Sequence, residues 1–335
     1  MNKLYLVLFF LISTSSVFAG LNPDKNLLRN IKKLSDISGE NEKSLKGDKS
    51  ENGCDLCGCY MGLEPNFNMN SVGVRFSSFK FFSPAHTVSD ENSDHPSDGS
   101  ESTEYYSNID VYFRYYINPK FRIIATIPFS FNEINTKKLN GFGDLVTIAQ
   151  YQIYNTNMTA ETNFWQRIFL GGGFKFPTGV YNKSLVYYGN VEPHFQPGTG
   201  SFDFMLSGLY ISKLENTGIG WRNDFIYTIS TANKNDYRFS NRFNVASTFT
   251  YEIDTETLTF LPHTGLYFES AGEDEDAGQS VADSGGDILF GTGGVDVFYG
   301  DYSLDFNYTF PISEKLNGDQ PENEYRFFIG LGFAF

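Results

Sequence analysis

Residues 325–335 read YRFFIGLGFAF and form the last stretch of the sequence. Successive side chains of an extended strand point to opposite faces, so alternate residues of this stretch share one face. One face is mostly small, with Gly330, Gly332 and Ala334. The other face carries only large apolar side chains, those of Tyr325, Phe327, Ile329, Leu331, Phe333 and Phe335. This pattern predicts a strand with lipid on one side and a crowded interior on the other.

The composition agrees with a wall of such strands. The 335 residues include 34 Phe, 21 Tyr and 32 Gly but 3 Cys, and the mean hydropathy is −0.31. A chain so aromatic, yet polar on average, suits strands that are half in lipid and joined by polar loops. The net charge of −15 argues against a nucleic-acid partner, because a phosphate backbone needs a basic surface.

The N-terminal part of the sequence predicts export and then a tether. Residues 1–19 have the pattern of a secretory signal peptide, with Lys3, an apolar segment at 4–12 and a small-residue cleavage site before Gly20. Residues 20–69 are then a short periplasmic arm, of which 22–37 have the spacing of an amphipathic helix. Residues 70–335 form the membrane domain.

A cysteine cluster in the arm has two interpretations. All three cysteines, Cys54, Cys57 and Cys59, fall in the segment CDLCGCYMG. The close spacing favours a thiolate site for copper or zinc, with Met61 as a further weak ligand. The alternative is a periplasmic disulfide that leaves one thiol free, because an oxidising compartment pairs cysteines.

Residues 70–335 repeat one unit, a strand followed by a turn. Short connections largely alternate with longer, more polar ones such as 133–142, and the short connection at 232–236 breaks the alternation. An even-stranded barrel that starts and ends in the periplasm has short turns inside and long loops outside. The prediction is an all-β, transmembrane antiparallel β-barrel of about 12 strands, at 71–82, 104–117, 121–132, 143–154, 164–176, 201–212, 219–231, 237–253, 257–269, 287–298, 302–312 and 325–335.

Polar residues at inward positions are candidates for the lining of the lumen. Arg222 and Asp224 against Arg238 and Arg242 predict ion pairs between neighbouring strands. Such a ladder is either structural, because buried charges need partners, or the lining of a polar path. The predicted lumen-lining residues are Asp110, Arg114, Arg122, Asp203, Arg222, Asp224, Arg238, Arg242, His263, Asp296 and Asp305.

The sequence gives little support for an enzyme. His263 is the only histidine on a predicted strand, and its side chain faces inward. There is no GxSxG motif, and no serine shares an evident register with a histidine and an orienting Asn or Asp. The outer loops at 90–98 and 273–283 are acidic, and we interpret them as solvated surface rather than calcium sites. We therefore predict no catalytic residues.

Three barrel segments carry a family resemblance: GFGDLVTIAQYQI at 141–153, LGGGFKFPTG at 170–179 and QPGTGSFDFMLSGLY at 196–210. Together they resemble the outer-membrane proteins grouped with the meta-pathway phenol-degradation transporters. The last strand resembles the closing strand of bacterial outer-membrane barrels, whose terminal Phe, here Phe335, is read by the barrel-assembly machinery. The resemblance implies passage of an unidentified small solute across the outer membrane of a Gram-negative cell, with lipid and lipopolysaccharide as neighbours. A non-transporting protein that binds metal through its cysteines is the alternative.

Overall fold

The protein is a barrel built of antiparallel strands. The structure, a computed structural model, describes residues 69–83, 102–134, 137–156, 164–183, 192–214, 217–318 and 320–335. No helix in these ranges is long and apolar enough to span a membrane. The strands are β1 (Ser71–Ser83), β2 (Ser102–Asn118), β3 (Phe121–Ile134), β4 (Lys137–Phe142), β5 (Leu145–Asn155), β6 (Phe164–Phe176), β7 (Asp203–Leu214), β8 (Ile219–Ile229), β9 (Tyr237–Arg238), β10 (Arg242–Tyr251), β11 (Ile253–Asp254), β12 (Thr259–Ala271), β13 (Asp274–Asp276), β14 (Gln279–Val281), β15 (Gly286–Tyr299), β16 (Tyr302–Leu316) and β17 (Glu322–Ala334).

The sheet closes on itself with twelve strands in its wall. β1 pairs with both β2 and β17, and β10 pairs with both β8 and β12, so the wall has no free edge. β4 and β5 both pair with β3 and together make one wall strand. Because Ser71 lies opposite Ala334, both ends of the barrel chain lie at one end, which we call the terminal end. The opposite end is the loop end. The predicted fold is confirmed.

The alternation in the sequence is seen directly in the burial of the strands. In β1, Val72 and Val74 are 38% and 48% exposed, whereas Ser71 and Arg75, on the other face, are each 4% exposed. The exposed large side chains of the wall are apolar, as lipid requires, and the covered ones include many polar groups as well as apolar clusters. Gly73 has a packing role, because a Cβ there would lie 2.2 Å from the hydroxyl of Tyr112, its partner in register on β2.

The structure differs from the sequence prediction in two connections. Residues 237–253 were expected to form one strand, but Tyr237 and Arg238 pair with β13 in a separate sheet, β14-β13-β9, at the loop end. The connection after β8 therefore runs over 230–241 and is a long one. The expected loop at 133–142 is mostly β4, which extends the wall by pairing with β3.

Candidate functional site in the barrel lumen

A segment between β6 and β7 folds into the lumen; we call residues 192–200 the inward segment. Pro193–Phe195 forms a single 3-10 turn, which the fixed φ of Pro193 favours. Phe195 is fully buried, and its ring meets the edge of Tyr106 with centroids 6.2 Å apart. Asn132 Nδ2 on β3 donates a hydrogen bond of 2.8 Å to the Phe195 carbonyl. The turn is therefore held against the inner wall.

Asp144, immediately before β5, fixes the other end of the inward segment. Its buried carboxylate accepts hydrogen bonds from Gly179 N at 2.9 Å, Thr199 N at 2.7 Å and Thr199 Oγ1 at 2.7 Å. At Gly198 a Cβ would lie 2.8 Å from Asp144 Oδ1, so this close approach requires glycine. Asp144, Gly179 and Thr199 come from three separate segments of the sequence, 141–153, 170–179 and 196–210, which meet at this carboxylate.

His194 joins the inward segment to the small sheet at the loop end. Its Nε2 lies 2.8 Å from Oδ2 of Asp274 on β13, and Tyr237 donates its hydroxyl to the same oxygen at 2.7 Å. The Ser240 N–H donates to Asp274 Oδ1 at 2.7 Å. One buried carboxylate therefore contacts residues from the connections at 177–202 and 230–241 and itself belongs to the connection at 272–285.

The protonation of Asp274 follows from these contacts. Burial by itself would raise the pKa of this carboxyl. The hydrogen bond and charge of His194, together with the hydrogen bonds from Ser240 and Tyr237, outweigh burial and lower the pKa to about 2. The pKa of the Tyr237 hydroxyl is raised, because it is buried and donates to a carboxylate. Asp274 is therefore ionised at neutral pH and acts as an acceptor only.

Cavities lie on both sides of the inward segment. The outer cavity, nearer the loop end, has a volume of about 520 Å³ and reaches Gly285 and Gln320. The inner cavity has a volume of about 330 Å³ and reaches Arg75 and Asp110. Residues that line both are Phe79, Asn108, Ser130, His194, Gln196, Pro197, Arg242 and Asn244. The inward segment is thus a constriction between two spaces that are rich in polar groups.

Toward the terminal end, side chains fill part of the lumen. Trp165, Phe169, Leu209 and Ile211 form a buried cluster on β6 and β7. The Arg122 guanidinium lies 4.3 Å from the centre of the Phe169 ring, and its Nε donates to Gln150 Oε1 at 2.9 Å. A guanidinium over a ring in a dry site is held by both its charge and its packing. This packed layer narrows the lumen further.

A cluster of buried polar side chains lies on β12, β15 and β16. Asp296 and Asp305 are paired in register, and both are 1% exposed. His263 Nδ1 lies 3.7 Å from Asp296 Oδ2, and His263 Nε2 lies 3.3 Å from Asn307 Oδ1. The side chain of His263 lies among these groups and is 1% exposed.

Most of the predicted lumen-lining residues lie on the inner face. Asp224 and Arg242 are partly exposed, and Arg238 lies outside the wall, in β9, where it is ion-paired with Glu275. The ion pairs also differ from those expected: Arg222 pairs with Asp224 on its own strand. The buried members of the set are Asp110, Arg114, Arg122, Asp203, Arg222, His263, Asp296 and Asp305.

Sequence reasoning missed several partners. Arg75 Nε donates to Asp110 Oδ2 at 3.0 Å, and Lys175 is ion-paired with Asp203. Arg75 lies at an inward position of β1, so the alternation of that strand was a usable signal. Asp144 and His194 lie in loops, where alternation gives no information, although Asp144 belongs to a segment that carried the family resemblance.

The cysteine cluster cannot be placed in this site. Cys54, Cys57 and Cys59 lie outside the described residues. Within the ranges that the structure describes, no group of three or more His, Cys, Asp or Glu side chains could hold a metal ion. The interpretations of the cluster as a copper or zinc site, or as a disulfide, remain predictions from the sequence.

Comparison with known proteins supports the fold. No protein-family model and no curated protein matches the chain. Among solved structures, an outer-membrane channel from Pseudomonas putida F1 is similar with a TM-score of 0.56 and 14% identity, over 87% of this chain and 100% of that one. The β-domain of the Bordetella autotransporter BrkA has a TM-score of 0.43 and 11% identity, over 80% of this chain and 100% of that one. At 14% identity, the likeness to the Pseudomonas putida channel shows the fold alone: an all-β, twelve-stranded antiparallel barrel of the outer-membrane type.

Proposed function

We propose that this protein is an outer-membrane channel that passes a small solute passively through a narrow lumen. The observation that carries the proposal is the pair of cavities, of about 520 and 330 Å³, separated by an inward segment that Asp144 and Asp274 hold in place. A constriction lined by polar groups is how channels of this architecture limit the size and charge of what they pass.

Two further observations support this function. The resemblance to the meta-pathway phenol-degradation transporters rests on three segments, and those segments supply Asp144, Gly179 and Thr199 at the base of the constriction. The similar Pseudomonas putida protein is described as an outer-membrane channel. The proposal places the terminal end in the periplasm and the loop end outside.

Liposome swelling tests this function. Purified barrel in liposomes should admit solutes of about the size of a pentose, and larger oligosaccharides should enter much more slowly, because the constriction and the packed layer leave little room. Protein-free liposomes are the background control. Heat-modifiable mobility in gels shows that the barrel is folded. If liposomes with folded barrel swell no faster than the control for every solute, the proposal is wrong.

The rival hypothesis is a non-transporting protein that binds copper or zinc through Cys54, Cys57 and Cys59. It rests on the sequence motif alone. Metal binding to thiolates should release protons and strengthen as pH rises. Titration of copper or zinc into the reduced protein and into a triple Cys→Ser variant tests this hypothesis. Equal uptake of metal by the two proteins would show that the cysteines do not bind it.

We also propose that the barrel-assembly machinery reads the last strand. In the structure the Phe335 side chain is 53% exposed on the lipid-facing side, and the Phe335 N–H donates to the Asn70 carbonyl at 2.8 Å. An exposed aromatic ring at this position is available to a partner before the barrel closes. Removing Phe335 should lower the yield of folded barrel in cells, whereas Phe335→Trp should preserve it.

A further inference from the structure

The charge of the outer cavity is unbalanced. Its lining includes the guanidinium groups of Arg242 and Arg326, and the carboxylates of Glu104, Glu192, Glu269, Asp274 and Asp283. These five carboxylates outnumber the two guanidinium groups by three. A cavity with one sign of charge and low-dielectric walls concentrates ions of the opposite sign.

Part of this charge is neutralised locally. Arg326 Nη1 donates to Glu269 Oε2 at 2.8 Å, and His194 contacts Asp274. Glu104 on β2 accepts a hydrogen bond of 2.8 Å from the Tyr106 hydroxyl, which is a neutral donor. Glu104 is therefore one of the carboxylates that contribute to the surplus.

Glu192 adds a second carboxylate from the inward segment. Its side chain is exposed, and it lines the same cavity as Glu104. Tyr106, which donates to Glu104, contacts the ring of Phe195, three residues after Glu192. Like charges that lie close together repel each other, and a cation between them lowers this repulsion. A solute that crosses the outer cavity toward the constriction must pass these carboxylates.

An aromatic wall adjoins Glu104. The ring of Phe81 meets Tyr106 edge to face with centroids 5.5 Å apart, and Tyr106 in turn contacts Phe195 of the inward segment. Aromatic faces attract cations and also accept the alkyl part of an organic solute. Carboxylates beside aromatic rings are a chemistry that suits an ammonium group on a short carbon chain.

The inner cavity shows a contrasting balance. Its lining includes the cationic groups of Arg75, Lys175 and Arg242 and the carboxylates of Asp110 and Asp144. Arg75 is ion-paired with Asp110, and Lys175 is ion-paired with Asp203. Because these charges are paired, we expect the inner cavity to attract cations and anions about equally. A preference for cations is therefore set in the outer cavity, before the constriction.

From these observations we infer that the outer cavity selects small organic cations, solutes with an ammonium group, and that Glu104 and Glu192 determine this selectivity. The inference rests on the proposed channel function and adds a class of solute to it. Because the selectivity arises from two carboxylates, their amides should abolish most of it while the barrel and its constriction stay intact.

Reversal potentials across planar bilayers under a gradient of methylammonium chloride test the inference. For the wild-type protein we expect the permeability of methylammonium to exceed that of chloride by about threefold or more, as charge focusing in a narrow cavity predicts. The double variant Glu104→Gln/Glu192→Gln should bring the ratio close to 1. Glu322→Gln is the matched control, because that exposed carboxylate lies at the same end but does not line the cavity.

The outcomes separate the two proposals. Conductance with a ratio at or below 1 overturns the cation selectivity and leaves the channel function standing. A cation preference that the double variant retains also overturns the inference, because other groups then produce it. Absence of conductance from folded wild-type barrel overturns the channel function and this inference together. Heat-modifiable mobility of each variant shows that it has folded.

Discussion

His194 Nε2 lies 2.8 Å from Asp274 Oδ2, and this contact joins the inward segment to the sheet formed by β9, β13 and β14. The two residues are 80 positions apart in the sequence. The contact brings a residue of the constriction and a residue of an acidic loop to one place. It therefore determines how firmly the constriction is held at the loop end.

Replacing His194 by alanine should loosen the constriction. The side chain of His194 is 45% exposed, so the lost ion pair and hydrogen bond should cost only about 1 kcal/mol, or about a fivefold rise in the undocked population. Single-channel recordings should then show larger or noisier open currents than the wild type. Arg238→Gln is the control, because it breaks the exposed Arg238–Glu275 pair of the same sheet. Equal effects of both variants would contradict a specific role of His194.

Acid should weaken the same contact through Asp274. The folded-state pKa of about 2 lies below the value of about 3.9 for an unfolded chain, so the stabilising contribution is complete above about pH 4 and is lost as pH falls toward 2. Its size is about 2 kcal/mol at most. Hydrogen exchange of residues 192–200 should accelerate across this window in the wild type. The Asp274→Asn variant should lack this component, and an identical pH profile for both proteins would refute the assignment.

Asp144→Ala should release the base of the inward segment. Three donors, on Gly179 and Thr199, would lose a buried acceptor, which should cost about 3 kcal/mol or more of local stability. Asp144→Asn retains one oxygen and should have an intermediate effect. Limited proteolysis of the folded barrel should cut the alanine variant within 177–202 before it cuts the wild type. Unchanged protease resistance would show that other contacts hold the segment.

The Arg75–Asp110 pair in the inner cavity should show strong coupling. Each side chain is almost completely buried, so removing Asp110 alone leaves a buried guanidinium without its carboxylate and should cost about 3–5 kcal/mol. Arg75→Met with Asp110→Leu should cost much less than the two single changes together. Thermal unfolding in detergent, analysed as a double-mutant cycle, measures the coupling. Additive losses would mean that the pair contributes little.

The barrel could be predicted from the sequence because its signal is local and repeated. The alternation of residues 325–335, and the matching alternation in the other strands, follows from lipid on one side and a lumen on the other. Strand number and closure then follow from an even count of such units. The faces of Val72, Arg75 and His263 needed no knowledge of the tertiary structure.

The constriction could not be predicted in the same way, because its contacts are set by tertiary folding. Asp144, Gly179 and Thr199 are brought together only when the connection between β6 and β7 turns inward. Tyr237 and Arg238 continue the alternation of β10 in the sequence, yet they pair with Asp276 and Glu275 of another loop. Parity also says nothing about which charged side chains meet, and for this reason the pair of Arg222 and Asp224 within one strand was not predicted.

The central claim is that a lumen narrowed by the inward segment conducts small ions and solutes. Single-channel recording of the wild-type barrel beside Asp144→Ala tests it most directly. We expect discrete, small conductance steps for the wild type and larger steps for the variant, because the variant frees the constriction. The claim would be contradicted if both proteins fold but give no conductance steps, or if their conductance steps have the same size.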